Sequence, residues 1–72
     1  MFALAAKIHR NGAVCREYYQ PEEQGIVPSV VFGLDGAKRA KHYESEEAAA
    51  ADIPAFRQAV KLNDLAVDVV PV

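Results

Sequence analysis

Apolar side chains recur at every second position at the start of the chain, which is the period of a strand with one buried face. The series consists of Phe2, Leu4, Ala6 and Ile8. Asn11-Gly12 follows as a turn dipeptide, because both residues tolerate the positive φ of a tight hairpin turn. Residues 14–19 are rich in strand-favouring side chains and predict the returning strand of a hairpin.

The register of this hairpin depends on the length of its loop. A two-residue loop places Lys7 opposite Arg16, where the like charges repel. A three-residue loop with Gly12 in a bulge instead places Ile8 opposite Val14. We favour the bulged register because it pairs apolar side chains.

A second hairpin is predicted in the middle of the chain. Residues 20–28 contain two prolines and Gly25, so we expect an exposed connection there. The apolar run 30–34 predicts a third strand, and Asp35-Gly36 predicts another turn. Residues 37–43 then predict a fourth strand, which carries basic side chains and is at most half buried.

The following segment has the signals of a helix. Ser45 is placed to be its N-cap, because a serine hydroxyl can accept from a free amide of the first turn. One apolar face has a period near 3.6 and comprises Ala49, Ile53, Phe56 and Val60. Pro54 either kinks the helix or lies in the first turn of a second helix that begins after Asp52. The position of Asp52, as a cap, favours the second alternative.

A last strand is predicted after a helix stop at Asn63. It is indicated by the alternation of Leu65, Val67 and Val69, and it ends at Pro71. The order β-β-β-β-α-β predicts an α+β two-layer sandwich, in which an antiparallel sheet of four to five strands carries one helix on one face. Residues 1–72 are predicted to form a single domain whose other sheet face is open.

The composition is that of a small folded domain. Of the 72 residues, 51% are apolar and 25% charged, which excludes the disordered class. A core of this size supplies only about 3–5 kcal/mol, so a partner chain would add needed stability. The net charge of −2 gives no general attraction to phosphate or anionic membranes. Charge is polarised, however, because residues 1–43 carry six Lys/Arg and four Asp/Glu, whereas residues 44–72 carry two and six.

The cysteine count and the N-terminal apolar run indicate where in the cell the protein is expected. Cys15 is the only cysteine, so an intrachain disulfide cannot form and an oxidising compartment is not needed. The apolar run 2–6 has no positive region before it and is cut at Lys7, so it is too short for a signal peptide or a membrane span. We expect a cytoplasmic protein with no membrane partner.

Few residues offer metal or catalytic chemistry. His9, Cys15 and His42 are the strong soft-metal ligands, and none stands at a tight ligand spacing. Nucleophilic catalysis would need Cys15 or a serine beside a histidine and a carboxylate, and a glycine-rich oxyanion or phosphate loop is missing. We therefore predict a protein that is not an enzyme, with no metal, cofactor or small-molecule substrate.

The remaining candidates are binding residues. Neighbouring strand positions point to opposite faces, so Tyr18 and Tyr19 must separate and one of them should reach the open face. The predicted binding residues are Arg16, Tyr18, Lys38, Arg39, Lys41 and Tyr43. Tyrosine and arginine are enriched where proteins bind one another, whereas a basic run with an aromatic residue also suits nucleic acid.

We expect a non-catalytic protein-interaction module of adaptor or inhibitor type that acts through its open sheet face or edge, as a homodimer. Residues 65–72 offer an edge for β-augmentation by a protein partner. The alternative is a small nucleic-acid-binding protein that uses the basic hairpin around residues 38–43. Short bacterial or phage accessory proteins often have this size and layout, a likeness that transfers no residue role.

Overall fold

The computed structural model describes residues 1–21, 30–32 and 36–72. Strand β1 spans Phe2–Arg10, β2 spans Ala13–Tyr19 and β3 spans Val30–Phe32. Helices α1, Gly36–Arg39, α2, Glu46–Ala51, and α3, Ile53–Val60, follow, and strand β4 spans Asp68–Pro71. Every strand pairing is antiparallel, in the order β3-β2-β1-β4. The α+β class and the antiparallel sheet are confirmed, whereas the predicted order of elements is not.

The first hairpin has a two-residue loop, so the favoured bulged register is wrong. Arg10 pairs with Ala13, and the loop residues Asn11 and Gly12 have φ values of 51° and 80°. Two successive positive φ angles are typical of a type I′ turn, whose twist matches that of the flanking strands. Lys7 therefore lies opposite Arg16. Both side chains are exposed, so they can separate into water and their repulsion is small.

The predicted second hairpin is also wrong, because residues 36–39 form helix α1 instead of turning into a strand. Ala, Lys and Arg favour helices over strands, and Gly36 and Ala40 are buried. The segment after α1 reaches the sheet at two points: the amide of Lys41 donates to the carbonyl of Tyr19 at 2.9 Å, and Tyr43 exchanges backbone hydrogen bonds of 2.9 and 2.7 Å with Phe2, beyond the end of β2. Asp35 and most of the predicted connection 20–28 lie outside the described residues.

The predicted helix divides at Asp52 into α2 and α3, as in the alternative that the sequence favoured. The predicted N-cap is confirmed, because Ser45 Oγ accepts from the amide of Ala48 at 3.1 Å. Pro54 lies in the first turn of α3, where its missing N–H leaves no hydrogen bond unmade. The carboxylate of Asp52, by contrast, does not cap α3.

The core lies between the helices and one face of the sheet. Its buried members are Leu4, Ala6, Ile8, Tyr19, Tyr43, Ala49 and Phe56. The rings of Tyr19 and Phe56 stack with centroids 5.3 Å apart. Partly buried side chains complete this core, namely Phe2, Ile53, Val60, Leu65, Val67 and Val69. The predicted packing of the helical apolar face on the sheet is thereby confirmed for the described residues.

Strand β4 is shorter than predicted because α3 holds the residues before it. Helix α3 ends at Val60, and its C-cap Lys61, two residues before the predicted stop, has a left-handed φ of 60°. The amide of Leu65 donates to the carbonyl of Leu62 at 3.1 Å, and the carbonyl of Leu65 accepts from Arg57 Nε at 2.8 Å. These two bonds hold residues 62–65 in a turn beside α3, and pairing with β1 begins only at Asp68.

Candidate functional site

Helices α2 and α3 pack on one face of the sheet, and we call the other face the open face. It carries the odd-numbered residues of β1 and the even-numbered residues of β2 and β4. Ala3 and Ala5 lie at its centre and have 0% exposure. Tyr18 lies beside Ala5 on β2, and Val70 lies beside Ala3 on β4; both are half-buried. The centre of the open face is therefore apolar, and its accessible surface belongs to Tyr18 and Val70, because Ala3 and Ala5 expose none.

Charged side chains flank this centre on two sides. Lys7 and Arg16 form a cross-strand pair toward the hairpin loop, and Asp68 lies beside Ala5 on β4. The guanidinium carbon of Arg16 is 5.8 Å from the centroid of the Tyr18 ring, a cation–π contact. The open face thus carries positive charge at one end and negative charge along its β4 side.

Two of the predicted binding residues, Lys41 and Tyr43, lie on the other side of the sheet. The Tyr43 side chain is only 7% exposed, and its hydroxyl donates to Asp52 Oδ2 at 2.7 Å. Lys41 Nζ lies 3.4 Å from the same oxygen and 5.2 Å from the centroid of the Tyr43 ring. The cluster of Lys41, Tyr43 and Asp52 fastens the junction of α2 and α3 to the edge of β1. The prediction that treated Tyr43 as an exposed strand residue is therefore corrected.

The other basic candidates belong to α1 and are exposed. The side-chain amide of Gln20 donates to the carbonyl of Arg39, and His42 Nε2 donates to the carbonyl of Ala37 at 2.9 Å. Lys38 and Arg39 project from a short helix, so the alternation along a strand assumed for the basic run is wrong. The nucleic-acid alternative assumed an exposed aromatic ring beside these basic residues, whereas the ring of Tyr43 is buried.

The predicted candidates therefore divide into two groups. Arg16 and Tyr18 meet on the open face, whereas Lys41 and Tyr43 meet at the helix junction. Sequence reasoning assigned Asp52 to a helix cap and so missed that it binds this second pair. The only signal for that role was the short spacing between the basic run and Asp52.

Tyr19 faces the helices, as the separation of the two neighbouring tyrosines predicts. Burial raises the pKa of its hydroxyl above the ordinary value of 10.0, and the negative charge of Asp52 raises this pKa further. The positive charge of Lys41 partly opposes this increase. The Tyr19 hydroxyl is neutral near pH 7, which suits a residue of the core.

A second surface lies at the side of β1. Arg10 and Ala13 flank the two-residue loop and form a hydrogen-bonded pair, and such pairs alternate along an antiparallel ladder. The backbone N–H and C=O groups of the even-numbered residues of β1 therefore bond to β2. The odd-numbered residues face β4, as the bond of 2.9 Å from the Val72 amide to the Met1 carbonyl shows. Pairing with β4 stops at Ala5, so the backbone groups of the next two odd-numbered residues point out of the sheet.

A hollow of about 500 Å³ adjoins these backbone groups. It is lined by Lys7, Ile8, His9, Lys61, Leu62, Asn63, Asp64 and Leu65. We call this surface the β1 side groove. Sequence reasoning missed it because residues 65–67 were assigned to a strand that would have filled it.

Metal and redox candidates are dispersed over the described part of the chain. Within those ranges, no three His, Cys, Asp or Glu side chains converge on a point where a metal ion could bind. Cys15 is a free thiol and is half-buried. None of the helices in the described ranges has both the length and the hydropathy of a membrane-spanning segment.

Comparisons of the chain with protein-family models, with curated proteins and with solved structures gave no match.

Proposed function

We propose that the chain is a non-catalytic protein-interaction module that pairs with a second copy through its open face. The observation that supports this proposal is the half-buried apolar pair of Tyr18 and Val70, which lie beside Ala5 and Ala3 on that face. Helices α2 and α3 pack on the opposite face, so a second copy would bury the part of these two side chains that is still exposed.

The side chains of the open face suit a sheet-on-sheet contact. Two sheets that pack face to face lie about 10 Å apart, and partly exposed side chains such as Tyr18 and Val70 fill that space. Tyr18 adds a large, rigid ring that its contact with Arg16 helps to hold in place. A half-buried tyrosine of this kind is a common anchor of protein interfaces.

The charges of the face favour a partner with the same surface. Twofold pairing is self-complementary, and the open face carries Arg16 on β2 and Asp68 on β4. A second copy can therefore set its acidic side against the basic end of the first. The single, thin core also gains most from such a partner, because pairing removes further apolar area from water. The lone, free Cys15 agrees with action in the cytoplasm.

Light scattering during size-exclusion chromatography tests this proposal across low to high micromolar concentrations. We expect a monomer–dimer equilibrium, and Tyr18→Ser should weaken it at least about tenfold, because a buried interface tyrosine contributes at least ~1.4 kcal/mol. Val14→Ser is the matched control, since Val14 is 56% exposed on the same strand and face but lies near the hairpin loop. A monomer at every concentration, or equal effects of both substitutions, would contradict the proposal.

A further inference from the structure

The β1 side groove presents backbone groups that the fold leaves unused. Lys7 and His9 are odd-numbered positions of β1, so their N–H and C=O groups point away from β2 and toward the groove. In the part of the chain that the structure describes, no residue pairs with them on that side. An unpaired strand segment of this kind is a template for an added strand.

The chain's own continuation does not fill the groove. Residues 66 and 64 would lie opposite Lys7 and His9 if β4 extended backward in the register that joins Ala5 to Asp68. The two backbone hydrogen bonds of Leu65, to Leu62 and Arg57, hold this segment against α3 instead. The groove is thus kept open by specific contacts, with room for another backbone beside β1.

We propose that the β1 side groove binds an extended segment of a partner protein in which acidic and apolar side chains alternate. The segment adds to the sheet as an antiparallel strand beside Lys7 and His9. This surface is separate from the Tyr18 centre of the open face, so the proposal goes beyond the dimer and does not depend on it.

The alternation follows from what lies on each side of the added strand. In antiparallel pairing, a residue that bonds to Lys7 or His9 has its side chain on the same face as theirs. Its side chain therefore lies beside the Lys7 ammonium group or the His9 ring. The next residue points to the helix side, where the groove is lined by Leu62 and Leu65. Leu62 is 43% exposed and gains burial from an apolar side chain placed there.

Charge favours an acidic segment over a second copy of β1. Lys7 and Lys61 line the groove against the single carboxylate of Asp64, which leaves net positive charge even with His9 neutral. Pairing with another β1 would bring Lys7 and His9 near their own counterparts, and like charges across a strand pair are destabilising. A segment with glutamate at alternate positions removes that repulsion and supplies an attraction.

A peptide of alternating glutamate and valine, blocked at both ends, is the probe for this groove. We expect it to bind with an affinity that falls as salt is added, and a lysine–valine peptide not to bind. Methylating the glutamate amide nitrogens should weaken binding at least about tenfold, because those amides face β1, whereas methylating the valine amide nitrogens should not. Equal effects of the two methylations, or no binding of the unmethylated probe, would overturn the proposal.

Nuclear magnetic resonance then locates the bound peptide. The amide protons of Lys7 and His9 should exchange rapidly in the free protein and become protected with the probe present. Shifts centred on α1 or on Tyr18, with Lys7 and His9 unchanged, would refute the site. Dimerisation is read separately by light scattering, so failure of one proposal does not count as failure of the other.

Charge reversal at two exposed positions completes the test. Lys7→Glu should weaken binding of the glutamate probe at least about tenfold and allow the lysine–valine peptide to bind. Lys38→Glu is the matched control, because Lys38 is exposed on α1 and does not line the groove. Both variants change the net charge equally. Equal losses in both would show a general charge effect and contradict the proposed site.

Discussion

Replacing Tyr43 with phenylalanine removes one hydroxyl group and keeps the buried ring. That hydroxyl donates to Asp52 Oδ2 at 2.7 Å, and hydrogen bonds to charged groups contribute about 1.5–3 kcal/mol. Asp52 is 35% exposed and keeps Lys41 Nζ at 3.4 Å, so water and this lysine replace part of what is lost. We therefore expect Tyr43→Phe to lower the free energy of unfolding by about 1 kcal/mol. In a domain of this size the melting temperature falls by about 4–8 °C.

Urea denaturation followed by circular dichroism at neutral pH measures this loss. Tyr18→Phe is the matched control, because it removes the same atom from a tyrosine on the open face, and its effect should stay within about 0.5 kcal/mol. Asp52→Ala and the double variant complete a cycle that isolates the coupling between the two side chains. If Tyr43→Phe is no more destabilising than Tyr18→Phe, or the coupling is near zero, the proposed fastening of the helix junction is refuted.

Two further predictions concern the turn and the core. Gly12 has a φ of 80°, and the space around the position of a Cβ is open. Gly12→Ala should therefore lower the free energy of unfolding by about 1–2 kcal/mol through backbone strain alone. An unchanged urea midpoint would count against the type I′ turn. The pKa of Tyr19 is raised in the folded state, so its contribution to stability is complete below pH ~10 and is lost as the pH rises through the higher folded-state value. In urea denaturation above pH ~10, Tyr19→Phe should therefore lose less of its free energy of unfolding than the parent protein as the pH rises. An identical decline in the variant and the parent would contradict the contribution of Tyr19.

The sequence was sufficient for elements whose signals are local. The period of two in β1, the turn dipeptide Asn11-Gly12 and the capping serine Ser45 each act within a few residues, and all three are present. The division of the helix near Pro54 is equally local, because proline removes a donor wherever it stands. The packing of the helical apolar face on the sheet followed from these elements.

The errors occurred where two local signals competed or where a distant residue decided the outcome. Asp35-Gly36 has the composition of a hairpin turn, but the residues after it favour a helix, and burial of Gly36 and Ala40 settles the competition. Residues 62–65 turn beside α3, where the carbonyl of Leu65 accepts from Arg57, and the alternation of residues 65–69 cannot reveal this docking. The loop register was decided by backbone φ rather than by the cross-strand charge pair.

The candidate site could be predicted only in part for the same reason. Arg16 and Tyr18 share a face because they are two apart in one strand, which the pattern alone establishes. Lys41 and Tyr43 were placed on an exposed strand that does not form, and their contact with Asp52 depends on how the helices dock. The β1 side groove exists because a strand ends early, so it became visible only with the fold.

The strand order places the earliest strand at the centre of the sheet, with β2 on one side and β4 on the other. During synthesis on the ribosome, β1 can pair with β2 as soon as the hairpin emerges. Its second neighbour, β4, is made only after helices α1, α2 and α3, and contacts so distant in sequence form slowly. The flank of β1 that β4 covers therefore stays unpaired in the nascent chain until β4 has emerged, and an unpaired strand flank is open to mispairing during that time.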